Sequence, residues 1–357
     1  MTENQSEAKP ADAVVRVVLA ASPSFREMVF AAGSMDRLSA VGEVVLLDDP
    51  GDADALMAAL PGADVLITSW GATPLTAEVL TPANRLQLIA HAASSVKHFI
   101  TDEVFRRGIR VTQAGQAMAR PVAEVSLAFT LSMLHRIHRF NHTMHAGGWR
   151  EEAIAPTSTG TTAGTSDVVL AQHGLAGSRI GVVGASRTGL EYIRMLVALG
   201  ADIAVYDPYL TNERAAGLGV RTTTLDELLR TSRVVALHAP TLPETRHMIG
   251  ARELALMPDG AALVNTARSW LVDTAALLAE LRSGRIDAAL DVFDEEPLPA
   301  DDPVRTLPNV LLTPHRAAGT VECYFEMGEL TAAEVERFST GQPLHHELTR
   351  STLAHMA

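Results

Sequence analysis

Ile180-Gly181-Val182-Val183 runs straight into Gly184-Ala185-Ser186-Arg187-Thr188-Gly189, and a stretch with helical spacing follows over 190–199. A short apolar strand, a glycine-bounded turn and a helix, in that order, form the setting a dinucleotide fingerprint requires. The pattern is G-x-S-x-x-G, with Ser186 where a middle glycine usually stands. Gly184 permits the tight turn and Gly189 lets helix pack closely on strand. A pyrophosphate would then sit at the positive helix N-terminus, among the amides of Ser186, Arg187 and Thr188. The Ser186 hydroxyl adds one further donor. A glycine pattern alone is a weak signal, but the next strand strengthens it. Val205-Tyr206 ends in Asp207, 18 residues after Gly189. A carboxylate there accepts hydrogen bonds from the adenosine ribose hydroxyls and repels a 2′-phosphate, so NAD is expected rather than NADP.

Working outward from this turn, strands are expected at 180–183, 202–206, 234–238, 262–265, 288–292 and 310–313, with helical or turn segments between them and a helix at 322–338. A second alternating series precedes them. Strands are expected at 14–19, 44–47, 63–68, 86–91 and 110–112, and helices at 52–60, 76–80 and 101–107. Such alternation implies parallel pairing. The expected fold class is α/β, with two Rossmann-like or flavodoxin-like domains, doubly wound parallel sheets and an interdomain active-site cleft. A long helix at 121–140 opens on Pro121, and the Thr/Gly/Ser/Ala-rich stretch 157–166 reads as an exposed loop. The expected division is 1–118 with 322–357 for substrate, and 119–321 for NAD.

Composition agrees with this picture. A chain of 357 residues favours about two domains, and 47% hydrophobic with 20% charged residues is globular. The charge balance, 29 − 42 = −13, disfavours nucleic acid and anionic membrane surfaces as main partners. One cysteine, Cys323, excludes an internal disulfide framework and any multi-cysteine metal site, and no metal is expected. The polar opening 1–11 lacks a hydrophobic signal core, so a soluble cytoplasmic protein is the default expectation.

Downstream stand Leu237-His238-Ala239-Pro240, Pro243-Glu244-Thr245-Arg246, Val264-Asn265-Thr266-Ala267-Arg268, Leu290-Asp291-Val292-Phe293-Asp294-Glu295-Glu296-Pro297 and Leu312-Thr313-Pro314-His315. In this order they resemble the D-isomer-specific 2-hydroxyacid dehydrogenase family, over about 63–344. The resemblance implies an NAD-dependent oxidoreductase acting on a 2-oxo acid and its (R)-2-hydroxy acid. It implies Arg268 as the substrate-binding arginine, whose planar guanidinium can hold carboxylate and carbonyl oxygens by paired bonds. His315 matches the general acid/base, since imidazole titrates near neutrality. Glu296, five residues after Asp291, matches the acid that orients the imidazole and favours its protonated form. Asp291 is expected to accept from the nicotinamide carboxamide. Main chain at His238, Ala239, Pro240, Thr266 and Ala267 is expected to line the cofactor, with Thr245 near its phosphate or ribose.

The chain departs from the family most at the substrate loop, where Ala93-Ser94-Ser95 replaces a usual G-x-G. Amide donors remain, while added side chains alter the loop. Lys97, one of only two lysines, stands ready for a second anionic group or is a solvated surface residue. Trp70 walls the pocket or joins the core. The resemblance also implies a homodimer joined through the long helix. An NAD-sensing regulatory or scaffold protein with a vestigial site is the alternative, and the full set Arg268, Glu296 and His315 argues for the enzyme.

Overall fold

The computed structural model describes residues 14–149 and 171–354, so the 157–166 stretch and the polar N-terminus lie outside the described residues. The chain divides into two compact units. One gathers the described part of Met1–Ala117 with Val321–Ala354, and the other is Met118–Thr320.

In the first unit β1 (Val15–Ala20), β2 (Gly42–Leu47), β3 (Val65–Thr68), β4 (Leu88–His91) and β5 (Arg110–Gln113) pair in parallel in the order β5-β4-β3-β1-β2. A short strand, Glu347–Leu348, adds antiparallel to β5. All four residues of β3 and of β4 are buried, as expected of central strands covered on both faces. The chain steps from β2 back across β1 to β3, so the strand order reverses there. Such reversals open a crevice at the carboxyl ends of the strands, and Trp70 follows β3 at that edge. The helix Val321–Ser339 carries Cys323, the sole cysteine, at 1% exposure.

The second unit is a seven-stranded sheet. β6 (Arg179–Val183), β7 (Asp202–Tyr206), β8 (Arg221–Thr222), β9 (Val234–Leu237), β10 (Ala262–Asn265), β11 (Asp287–Leu290) and β12 (Val310–Leu312) pair in parallel in the order β12-β11-β10-β9-β6-β7-β8. The order reverses between β6 and β9. One apolar cluster includes Val182, Tyr192, Val205 and Val264. A second includes Val183, Leu229, Leu237 and Leu263. Alternate residues of β6 thus enter different clusters, as the two-residue repeat of a strand demands.

Several expectations are corrected. No helix forms at 76–80. One helical bond, from the Leu80 amide to the Thr76 carbonyl, closes a single turn that Pro82 stops from propagating. The helix expected at 121–140 is two helices, Gln116–Leu134 and Ile137–His145, broken where Arg136 takes the left-handed conformation at φ 54°. The break has an electrostatic cause. Arg136 reaches the wholly buried Asp287 carboxylate and the Gly260 carbonyl, and Arg139 Nη2 and His138 Nε2 meet the same carboxylate at 2.6 and 3.0 Å. Burial alone would raise the Asp287 pKa, but the bonds from His138 and Arg139 and the two arginine charges outweigh it and hold the acid well below the usual carboxylate range. The strand expected at 288–292 runs Asp287–Leu290, so Asp287 is its first residue.

Candidate active site

The turn after β6 is built as its glycines require. Gly184 sits at φ 98°, and a Cβ there would lie 2.6 Å from the Ala239 amide nitrogen. A Cβ on Gly189 would lie 2.2 Å from the Gly184 carbonyl oxygen. Neither position accepts a side chain, so the turn lies directly against His238-Ala239. Ser186 caps the helix Arg187–Ala198, its hydroxyl accepting from the Gly189 amide at 3.4 Å, which leaves its proton available to a phosphate. Arg187 is exposed and Thr188 half-buried in that first turn. Asp207 ends β7, where its carboxylate already accepts from the Ala185 amide at 2.6 Å and the Tyr209 amide at 2.7 Å. A carboxylate has room for about four donors, so ribose hydroxyls still fit. A glycine cradle with no space for Cβ atoms, a helix N-terminus and an acid at the next strand end together suit NAD, and the acid disfavours a 2′-phosphate.

Around this turn, several expected cofactor contacts turn out to brace the structure as well. His238 is buried with its ring centroid 5.0 Å from that of Tyr192, and burial pushes its pKa down to about 3, so the ring is neutral and takes no part in proton transfer near pH 7. The Thr245 hydroxyl accepts from the Leu242 amide at 2.9 Å and lies 2.7 Å from the Pro240 carbonyl, closing the loop that carries Pro240. Thr266 is buried, and its hydroxyl lies 2.7 Å from that of Ser126 on the helix Gln116–Leu134. Asn265 accepts from the Ala267 amide at 3.0 Å and donates to the Arg268 carbonyl at 2.9 Å. Ser126 and Asn265 therefore fix the turn that presents Arg268. Sequence reasoning missed both; the one local signal was a buried-strand asparagine just before the arginine.

Three expected catalytic residues come together within the second unit. His315 Nδ1 lies 2.6 Å from Glu296 Oε2, and the other Glu296 oxygen accepts from the Phe293 amide at 2.9 Å. Burial opposes the Glu296 charge, but the bonds from His315 and Phe293, and the Arg268 charge, hold its pKa below the ordinary carboxylate value. Burial likewise lowers the Arg268 pKa, with Glu296 acting against that shift. The one hydrogen bond from the Arg268 side chain goes to the Ala267 carbonyl at 2.6 Å, and no carboxylate is bonded to the guanidinium among the described residues. A part-buried guanidinium with donors to spare, near enough to Glu296 for their charges to interact, can grip an anion, and the acid-backed imidazole can exchange a proton.

The backbone that carries the imidazole is strained and held. His315 lies at φ 51°, a region sparsely used by residues other than glycine. Asp291, buried at the end of β11, accepts from the Thr313 hydroxyl at 2.5 Å, the Arg316 amide at 2.9 Å and the Ala317 amide at 3.0 Å. Its carboxylate thus brackets His315 from both sides and keeps the unfavourable conformation in place. The strand-end acid is an anchor whatever else it binds.

Apart from Arg268, the residues expected around the substrate belong to the first unit. Ala93 is fully buried, its carbonyl accepting from the Ala114 amide at 2.9 Å. The amides of Ser94 and Ser95 make no hydrogen bond to another described residue, which leaves two donors of the kind a carboxylate accepts. Lys97 is exposed. Trp70 is half-exposed and meets Phe25 and Tyr324 edge-on, at 5.2 and 6.2 Å between ring centroids.

Comparison with known proteins agrees with this architecture. The family described as D-isomer specific 2-hydroxyacid dehydrogenase, NAD binding domain, matches residues 127–317. A D-3-phosphoglycerate dehydrogenase of Methanocaldococcus jannaschii is 33% identical over 291 residues, covering 81% of this chain and 52% of the relative. The chain thus spans about half the length of that relative. A glyoxylate reductase of Korarchaeum cryptofilum is 32% identical over 299 residues, covering 84% of this chain and 83% of its own. Among solved structures, the TT0316 protein from Thermus thermophilus superposes with a TM-score of 0.75 at 28% identity, covering 94% of this chain and 100% of that one. The chain belongs to the D-isomer specific 2-hydroxyacid dehydrogenase family, and its second unit carries that family's NAD-binding domain.

Proposed function

We propose that this chain is an NAD-dependent dehydrogenase that interconverts a 2-oxo acid and its (R)-2-hydroxy acid, with Arg268, Glu296 and His315 as its catalytic residues. The observation that supports the reading best is the 2.6 Å contact between His315 Nδ1 and Glu296, whose charge also interacts with an Arg268 guanidinium that no carboxylate among the described residues binds. Bound NAD supplies or receives the hydride at the substrate's C2. Arg268 holds the carboxylate and carbonyl oxygens by paired, charge-assisted bonds and so fixes the reacting carbon. With Nδ1 engaged by Glu296, Nε2 of His315 is the ring atom left to deliver a proton to the carbonyl oxygen in reduction and to take it from the hydroxyl in oxidation. Glu296 stabilises the imidazolium between those steps.

In the same reading the turn Gly184, Ser186, Arg187, Thr188 and Gly189 takes the pyrophosphate and Asp207 the ribose. His238, Ala239, Pro240, Thr245, Thr266, Ala267 and Asp291 line the rest of the cofactor. Ser94, Ser95, Lys97 and Trp70 select among 2-oxo acids, and the active form is a cytoplasmic homodimer. A sensor with a vestigial site finds less support, since a sensor has no need of all three catalytic side chains.

The test is NADH oxidation followed at 340 nm across glyoxylate, hydroxypyruvate, its 3-phosphate, pyruvate, and branched and aromatic 2-oxo acids. Turnover of at least one, lost in His315→Gln while NADH still binds, is the expected result. Tight NADH binding with no turnover of any would refute the enzyme reading.

A further inference from the structure

At the edge of the seven-stranded sheet opposite the dinucleotide turn, the starts of β6 and β7 and the residue before β9 surround a cavity of about 470 Å³. Its size falls within the roughly 300–1,000 Å³ usual for small-molecule sites. Its walls include His173, Arg179, Asp202, Ser232 and Arg233.

The charges there do not balance. Among the described residues Asp202 is the only acid in the lining, and it is shared between Arg179 Nε at 2.9 Å and Arg221 Nη2 at 2.7 Å. Arg233 has no carboxylate partner among the described residues. Its side-chain hydrogen bond is a long one, 3.4 Å to the Asp259 carbonyl. Arg136, itself bonded to Asp287, lies near enough for its positive charge to act on Arg233. Both the Arg233 guanidinium and the His173 imidazole have lowered pKa values, through burial first and then through neighbouring positive charge. Two buried polar atoms of residues there, His173 Nε2 and Ser232 Oγ, have no hydrogen-bond partner among the described residues.

Surplus positive charge along the lining of a partly open cleft calls for a multivalent oxyanion. We propose that this cavity binds a small phosphate-bearing metabolite, with Arg233 as its anchor and Arg179 as a second cationic contact. A phosphate carries about −1.5 to −2 charge at pH 7, which matches the local surplus better than a single carboxylate does. β6 is five residues long, so at roughly 3.3 Å per residue the cavity lies about 16 Å from the Gly184 turn. Its ligand is therefore an effector rather than a substrate or part of the cofactor. The three strands that border the cavity lead directly into Gly184, Asp207 and His238, a mechanical link to the dinucleotide turn.

The experiment is calorimetric titration of the full chain, saturated with NAD, with inorganic phosphate. One phosphate per chain is expected, and Arg233→Gln should weaken its binding at least fivefold while NADH affinity stays within twofold. Arg233→Lys, which keeps the charge, should retain more of the binding than Arg233→Gln. In case the variants fold poorly, NMR of the unaltered protein gives a second readout, in which phosphate shifts the His173 ring signals. No binding, a smaller loss in Arg233→Gln, or an unmoved His173 would overturn the proposal. None of these outcomes depends on turnover of a 2-oxo acid.

Discussion

Glu296 Oε2 and His315 Nδ1 stand 2.6 Å apart across 19 residues of chain, and the second Glu296 oxygen is tied to the Phe293 amide. The carboxylate is therefore fixed by the backbone before the imidazole meets it, so the ring is oriented by a rigid partner rather than by a freely rotating side chain.

Glu296→Gln tests that relationship. It keeps the shape and removes the charge, so kcat should fall by roughly 10²-fold or more, the usual scale for impaired acid/base catalysis, with little change in NADH affinity. The sign of the pH effect follows from the lowered Glu296 pKa. The pair persists below the ordinary carboxylate value of 4.5 and is lost as pH falls through the depressed one. Profiles of kcat/KM against pH should show that acid limb in the native protein and not in the variant.

Asp291 offers a separate test of the strained backbone. Asp291→Ala removes three hydrogen bonds that bracket His315 and leaves the buried Ala317 amide unpaired. A loss of roughly 2–4 kcal/mol in unfolding free energy is expected, with a fall in kcat larger than the change in KM. Denaturant unfolding beside steady-state kinetics would check both, and a variant with native kcat would count against Asp291 as a positioning residue.

Gly184→Ala should damage the nucleotide turn in two ways at once, through a left-handed backbone and through a Cβ 2.6 Å from the Ala239 nitrogen. Destabilisation of roughly 2 kcal/mol or more is expected, together with weaker NADH binding. Thermal melting and NADH fluorescence would read each effect.

Two buried histidines contribute to the loss of stability in acid. Burial lowers the pKa of both His91 and His238 to about 3, from 6.5 when exposed. Each is neutral in the folded chain and protonated in the unfolded one below pH 6.5. Their contribution to stability is complete above pH 6.5 and declines as pH falls toward 3. The decline is about 2 kcal/mol per histidine between roughly pH 6.5 and 5. Urea unfolding at several pH values should show this slope, and His91→Gln should flatten it; an unchanged slope would argue against a neutral His91.

Much of this was legible because it is local. The strand Ile180–Val183, the glycines at 184 and 189 and Asp207 declare themselves within 28 residues, and Arg268 and His315 each close a recognisable strand end. What stayed hidden depends on partners far along the chain. Nothing near Asp287 announces that Arg136, His138 and Arg139, about 150 residues earlier, enclose it, so the helix break at Arg136 was misread. The helices Pro23–Val29 and Ala32–Val41 and the two-residue strands Arg221–Thr222 and Glu347–Leu348 also escaped notice. Strands that short owe their place to pairing with a neighbour rather than to their own pattern. Ser126 could not be connected to Thr266 without the fold.

The solitary thiol of Cys323 has a practical consequence. It is enclosed in the helix Val321–Ser339, and burial pushes its pKa up to about 11, so little thiolate exists to react while the first unit stays folded. With no second sulfhydryl in the chain to confuse the signal, the rate of alkylation by iodoacetamide becomes a built-in clock for how often that unit opens.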